Sequence, residues 1–192
     1  VTATGSYTLK VNPATITVTA EAKTKTYGEA DPALTYTNGN GVKEEVPSFT
    51  GELSRVEGED VGDYAIQQNT VALADNEESG FKAGNYVIVY TPNNLTISAN
   101  GTLTVAGTSY EGTYDGESHG DAADTNVTKG TTISYSTDGG KNWSTDVPKV
   151  TDVSEITVNV KAENPNYVTA TGSYTLKVNP ATITVTAEAK TK

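Results

Sequence analysis

The one histidine in the chain, His119, stands in Gly116-Glu117-Ser118-His119-Gly120. A Ser-His-Asp relay or an imidazole metal site would need partners brought to that ring from elsewhere in the fold. The turn-forming residues around it read instead as a solvated loop. Carboxylates are the other groups that could act. They gather at Glu57, Glu59, Asp60 and Asp63, at Asp75, Glu77 and Glu78, and at Asp115, Glu117, Asp121 and Asp124. Calcium takes about six to eight oxygens from loops of this kind. No cluster has the Asp-x-Asp-x-Asp-Gly order, so all three read as solvated acidic loops. A glycosidase would need two carboxylates across a cleft, and no spacing here pairs two. No Gly-x-Gly-x-x-Gly or phosphate loop sits on a strand-to-helix junction. Cysteine is absent, which excludes thiolate zinc, disulfides and thiol catalysis together. No catalytic, cofactor-binding or metal-ligating residue is therefore assigned, no cofactor is expected, and the chain is not read as an enzyme.

Lysine could still act as a nucleophile, since an amide crosslink to asparagine needs a buried amine. Tyr174, Leu176 and Val178 share one face of an alternating run, which puts Lys177 and Thr175 on the other. Ile156, Val158 and Val160 likewise oppose Asn159 and Lys161. These lysines read as facing solvent. Asn-x-Ser/Thr sequons at Asn94, Asn100, Asn126 and Asn142 are what a Thr- and Asn-rich chain produces by accident. Tyr27, Tyr36, Tyr64, Tyr86, Tyr90, Tyr110, Tyr114, Tyr135, Tyr167 and Trp143 could line a sugar groove, but such residues more often complete a small β core with the polar tip at its rim. Trp143 follows a turn and is the one expected to be exposed.

The elements that carry these side chains are strands. About one residue in six is threonine, and Thr, Val, Ile and Tyr suit a pleated, half-buried surface. The 192 residues are 35% hydrophobic and 19% charged, enough for one or two small cores. The net charge of −11 excludes the basic footprint that nucleic acid requires. No apolar run approaches a membrane span, so no membrane insertion is expected. The chain begins without methionine or a signal peptide and reads as a fragment of something longer.

A repeat organises the whole. Residues 1–25 (VTATGSYTLKVNPATITVTAEAKTK) recur letter for letter at 168–192, an offset of 167. That period is too long for a solenoid and suits two small β domains. Within it, Thr15–Ala20 alternates Ile16 and Val18 against threonines. Strands are expected also at Leu34–Thr37, Phe49–Leu53, Asp63–Gln67, Tyr86–Tyr90, Leu95–Ser98, Thr102–Ala106, Thr132–Ser136, Ile156–Lys161 and Gly172–Val178. Asn38-Gly39-Asn40-Gly41, Glu57-Gly58, Pro92-Asn93-Asn94 and Ala99-Asn100-Gly101 separate them. Asp138-Gly139-Gly140 marks a hairpin between Tyr135 and Trp143. The expectation is all-β, with two alternating small β-sandwich (Ig-like) domains in tandem, β-grasp-like domains being the alternative.

The boundaries follow. Residues 1–12 are the closing strand of a preceding B-type domain, 13–98 are domain A, 99–179 are domain B, and 180–192 open the next A-type domain. Asn12-Pro13 and Asn179-Pro180 make the joins short and stiff. The expected core of A is Ile16, Val18, Leu34, Tyr36, Leu53, Tyr64, Ile66, Tyr86, Ile88, Tyr90, Leu95 and Ile97. Tyr64 is expected to hold a corner by bonding its hydroxyl to backbone a few residues upstream. The duplicated end strands have no partners left within the chain, so neighbouring copies of the repeat are expected to supply them, head to tail.

Three blocks occur in order in domain A: TYGEADPALTYT (Thr26–Thr37), GELSRVEGEDVGDYAI (Gly51–Ile66) and NYVIVYTPNNLTI (Asn85–Ile97). They resemble the MBG-type repeat with the YGX signature. Domain B, with YSTDGGKNWSTDVPKVTDV (Tyr135–Val153) and VNVKAENPNYVTATGSYTL (Val158–Leu176), is similar to companion β domains that alternate with MBG repeats in Firmicute surface proteins. Val61-Gly62-Asp63-Tyr64-Ala65-Ile66 of A corresponds to Val153-Ser154-Glu155-Ile156-Thr157-Val158 of B, which has no glycine or tyrosine for that corner. The resemblance implies an extracellular repeat on a Gram-positive bacterial cell surface and brings no catalytic residues. The function it points to is a structural stalk or fibre that spaces or assembles a surface protein. The alternative is an adhesin repeat that binds host glycan or protein, around Trp143.

Overall fold

The structure is a computed structural model that describes residues 2–190. The chain divides into two units, 1–98 and 99–192. The first strand of unit 1 lies where the Ile16/Val18 alternation lies. β1 (Ala14–Ala20) puts both side chains in the core at 0% exposure while its threonines face outward or sit at the rim. β2 (Lys23–Thr26), β3 (Tyr36–Asn38), β4 (Ser48–Thr50), β5 (Ser54–Arg55), β6 (Gly62–Gln67), β7 (Ala72–Ala74), β8 (Tyr86–Thr91) and β9 (Asn94–Ser98) complete the unit. Three sheets result, ordered β3-β1-β8, β2-β9-β6-β5 and β4-β7.

The first two sheets are stitched by one long parallel pair. β1 runs beside β8 from Ala14↔Tyr86, and β2 continues beside β9 in the same register from Lys23↔Leu95. The pair breaks at Glu21-Ala22 and Pro92-Asn93, and both chains cross from one sheet to the other there. Pro92 has no N–H to give a ladder, so the break falls where the sequence cannot continue it. The Asn93 carbonyl instead accepts from Ile66 N–H at 2.7 Å.

Ile16, Val18, Phe81 and Tyr86 form one buried cluster, with Tyr36, Phe49, Leu73, Ile88 and Tyr90 packed against it. Ile66, Val71, Leu95 and Ile97 are buried as well. Six of the twelve expected core residues are therefore fully buried. Leu34, Tyr36, Leu53, Tyr64, Ile88 and Tyr90 are only partly so. Phe81 was not among the twelve, because it stands in a turn-rich stretch with no alternation around it. Its ring stacks on Tyr86 at 4.6 Å with an interplanar angle of 12°.

Unit 2 has β10 (Val105–Ala106), β11 (Tyr110–Thr113), β12 (Asp124–Thr125), β13 (Thr132–Ser136), β14 (Ser154–Glu163) and β15 (Ala170–Asn179). Its main sheet is β11-β15-β14-β13, with β10-β12 as a two-stranded companion. β14 and β15 are ten residues each and pair antiparallel from Ser154↔Val178 to Ala162↔Ala170. Both alternate strictly, and the inward set Val158, Val160, Tyr174, Leu176 and Val178 joins Tyr135 and Val150 in the core. The class is all-β of sandwich type.

Residues 2–13 and 180–190 form no strand and are exposed along most of their length. Val1, Thr191 and Lys192 lie outside the described residues, so the outermost positions of the duplicated stretch are known as sequence only.

Candidate functional site

Four charged side chains meet in unit 1. Lys25 comes from β2, Asp31 from the loop after it, Arg55 from β5 and Glu59 from the loop before β6. The Lys25 Nζ donates to Asp31 Oδ1 at 2.7 Å and to Glu59 Oε2 at 2.5 Å, and the lysine side chain is 3% exposed. Arg55 Nε and Nη2 donate to the two oxygens of Asp31 at 2.5 and 3.1 Å. Its Nη2 also reaches Glu59, and Nη1 reaches the Val56 and Gly58 carbonyls. The guanidinium lies 5.2 Å from the centre of the Tyr64 ring. Every donor nitrogen of Arg55 is thus occupied, and two cations balance two anions.

This arrangement fixes the chemistry open to Lys25. The Arg55 guanidinium, with Lys25, holds the Asp31 carboxyl down at about 2, and Asp31 and Glu59 push the Lys25 amine up. Amide formation needs a neutral amine and a protonated acid, the reverse of what is stabilised here. The cluster is a four-part ion pair that clasps two strands and two loops. The alternation that marks Lys161 and Lys177 gives no sign of Lys25, because Lys23-Thr24-Lys25-Thr26 has no apolar residue to mark its inner face. Lys161 and Lys177 are 24% and 35% exposed in their side chains and pair with Glu163 and Glu111 at 2.8 and 3.3 Å.

Tyr64 holds the corner beside this cluster. Its hydroxyl donates to the Asp60 carbonyl at 2.8 Å. Gly58 makes room for the ring, since a Cβ there would lie 2.1 Å from Tyr64 Cε1. Ile156, at the matching place in unit 2, packs against the core instead.

His119 departs from the solvated-loop expectation. Its backbone exchanges two hydrogen bonds of 2.9 Å with Val150, its ring stacks on Tyr110 at 4.0 Å, and Nε2 lies 3.0 Å from Asp115 Oδ1. The reason is that β11 presents a flat ring where the turn returns. Asp115 is lowered chiefly by the Glu117 N–H and then by His119. Among the described residues, no group of three or more His, Cys, Asp or Glu is placed to hold a metal ion, and Asp115, Glu117, Asp121 and Asp124 do not converge.

The Asp138-Gly139-Gly140 hairpin forms as expected, with Tyr135 and Ser144 exchanging backbone bonds of 2.7 and 3.0 Å. Asp138 Oδ1 accepts from the backbone N–H groups of Lys141 and Asn142, both at 3.0 Å, and from Ser136 Oγ at 2.7 Å. These donors, with the Asn142 side chain, lower its carboxyl to about 2. Gly139 and Gly140 take φ of 76° and 86°, which favours glycine. Trp143 is 38% exposed, but its indole N–H is spent on the Gly140 carbonyl at 3.0 Å, and Lys161 Nζ stands 4.9 Å from its ring centre. The asparagines of three sequons are used locally. Asn142 donates to Asp138, Asn126 bridges Thr102 and Thr104, and Asn100 Oδ1 accepts from Thr102 N–H.

The duplicated stretch gives the sharpest contrast. In the inner copy Tyr174, Leu176 and Val178 are 5%, 0% and 3% exposed; their counterparts Tyr7, Leu9 and Val11 are 92%, 82% and 87% exposed. Ile16 and Val18 are 0% exposed, while Ile183 and Val185 are 87% and 89% exposed. Identical sequence is a core strand where the sheet provides a seat and an exposed segment where it does not.

Residues 16–96 match the family model of the MBG domain (YGX type). The match covers unit 1 from β1 to the middle of β9, which is consistent with an MBG repeat in that unit. A comparison with curated proteins gave no match.

Proposed function

We propose that the chain is a structural repeat of an extracellular bacterial surface protein, spacing or assembling that protein rather than turning over a substrate. The observation that carries this is the letter-for-letter recurrence of 1–25 at 168–192, whose halves belong to the strands that close unit 2 and open unit 1. A sequence period that coincides with a pair of folded units is the signature of an array. The MBG match supports the surface setting. The side chains that could do chemistry are instead committed to holding the fold: Lys25, Arg55, Asp31 and Glu59 to each other, Asp138 to its hairpin, and His119 to Tyr110 and Asp115. An excess of acid keeps neighbouring molecules apart and soluble. The chain has no Cys or Met to oxidise.

The adhesin alternative rests on Trp143 and the groove beside it, lined by Thr137, Val147, Pro148 and Ile156. Glycan-array binding separates the two. A structural repeat gives no saturable signal, whereas saturable binding lost in Trp143→Ala would replace it with the adhesin reading.

A further inference from the structure

We propose that each unit bears tension along the chain, its opening and closing segments forming a clamp that a pull on its ends loads in shear. The proposal rests on the structural-repeat reading, which gives the chain a pull to resist, and names what resists it. In unit 1 the opening segment runs parallel to the closing one. β1 pairs with β8 from Ala14↔Tyr86 to Thr19↔Thr91, and β2 pairs with β9 from Lys23↔Leu95 to Thr26↔Ser98. The offset is the same in both, so one register runs from the first strand residue of the unit to the last. Ile16 and Val18 on β1, and Leu95 and Ile97 on β9, are buried, which anchors both segments in the core. A pull that enters at Pro13 and leaves at Ser98 draws the two segments past each other lengthwise. Sliding by less than one residue, about 3.3 Å, breaks the bonds of the pair together. A crosswise pull over the same distance opens about one position. Side chains brace the same pair. Ser98 Oγ donates to the Lys25 carbonyl at 3.2 Å, and the Lys25 amine ties β2 to Asp31 and Glu59.

Unit 2 has the same arrangement with different braces. Asn100 bridges Tyr167 in parallel, and β11 pairs parallel with β15 from Tyr110↔Leu176 to Thr113↔Asn179, the residue before Pro180. The Tyr114 N–H continues the pair to the Asn179 carbonyl at 2.8 Å. Across it, Glu111 Oε1 accepts from the Asn179 side-chain amide at 3.1 Å and pairs with the Lys177 amine at 3.3 Å. The longer β14–β15 ladder is antiparallel and does not include the end where the pull enters. Both units therefore set a parallel pair between the points where tension enters and leaves.

The test is single-molecule force spectroscopy on the full chain. The sequence has no cysteine, so two introduced cysteines take the handles at chosen points. Asn12→Cys/Ser98→Cys, both at exposed positions, pulls unit 1 from end to end. Asn12→Cys/Gly84→Cys pulls the same first strand against the start of β8. Asn12 and Gly84 line one groove beside Ala14 and Tyr86, and a Cβ on Gly84 meets nothing within 4 Å. Forced unfolding reads the barrier rather than the equilibrium stability. At one loading rate the end-to-end handles need at least about twice the force of the crosswise ones, and the chain between them is released in one step. Handles at Thr2→Cys/Lys190→Cys give two such steps, one for each unit. The proposal is overturned if the end-to-end force equals or falls below the crosswise force. It is equally overturned if end-to-end extension proceeds in several small steps or with none. Whether successive periods extend as an array is read from their dimensions in solution, so either reading can fail while the other stands.

Discussion

Leu176 and Leu9 allow one substitution to be made twice in the same local sequence with opposite burial. Leu176 is 0% exposed on β15, facing Ile156 across β14 and Tyr110 across β11. A Cβ built on Gly120 would come within 3.3 Å of its Cδ1. Leu9 has the same flanking residues and is 82% exposed. Leucine-to-alanine in a core costs the lost transfer energy plus a cavity term, about 2–5 kcal/mol in all. Backbone on three sides limits collapse around Leu176, which places Leu176→Ala at about 3–4 kcal/mol in that range. Leu9→Ala should stay within about 0.5 kcal/mol. Trp143 is the one tryptophan and lies in unit 2, so its fluorescence follows that unit alone through a urea titration. With a slope of about 1–3 kcal/mol per molar, Leu176→Ala lowers the midpoint by about 1–4 M, and Leu9→Ala leaves it in place. Equal shifts for the two, or a Leu176→Ala loss below about 1 kcal/mol, would refute the assignment of the inner copy to the core.

Tyr174 buries a hydroxyl with no partner, so Tyr174→Phe should leave unit 2 unchanged or stabilise it by up to about 1 kcal/mol in the same titration; a comparable loss would mean that the hydroxyl is bonded. Gly51 has φ of +80°, and a Cβ there would lie 2.1 Å from the Thr70 carbonyl oxygen, whereas Gly28 at +88° meets nothing within 4 Å. Gly51→Ala should therefore cost unit 1 clearly more than Gly28→Ala, by about 1–3 kcal/mol, and equal melting temperatures would contradict the register of that turn. Asp31 is lowered from 3.8 to about 2, chiefly by Arg55 and then by Lys25. A depressed carboxyl contributes stability that is fully present above its unfolded value and is lost as pH falls through the folded one. The gap in unit 1 melting temperature between the unaltered chain and Asp31→Asn should thus be constant above pH 4 and shrink between about 4 and about 2. A gap that persists unchanged at the acid end would remove the clasp.

How far the sequence could be read depended on where alternation was the deciding force. β1, β6, β8, β9, β14 and β15 each place apolar residues at every second position against one dry side, and period two alone locates them. The Asp138 hairpin was equally legible, since its two glycines supply the positive φ the turn needs. Leu34–Thr37 and Phe49–Leu53 were displaced toward β3 and toward β4 and β5, because these strands are two or three residues long and partner geometry sets their ends. Thr102–Ala106 shrank to β10 for the same reason. β2 and β11 carry Lys-Thr-Lys-Thr and Tyr-Glu-Gly-Thr, whose place in a sheet is set by a parallel neighbour far away in sequence. No local pattern reports such a neighbour. The charge clasp was illegible for a related reason. Its four residues come from four separate segments, and only the crossing of the parallel pair from sheet to sheet brings them together.

The proposal that this chain is a structural repeat is tested most directly by small-angle scattering from chains of one, two and three successive periods of 167 residues. A spacer array predicts that the maximum dimension rises by an equal increment with each added period. A maximum dimension that barely grows with added periods, as in a compact multidomain particle, would contradict it.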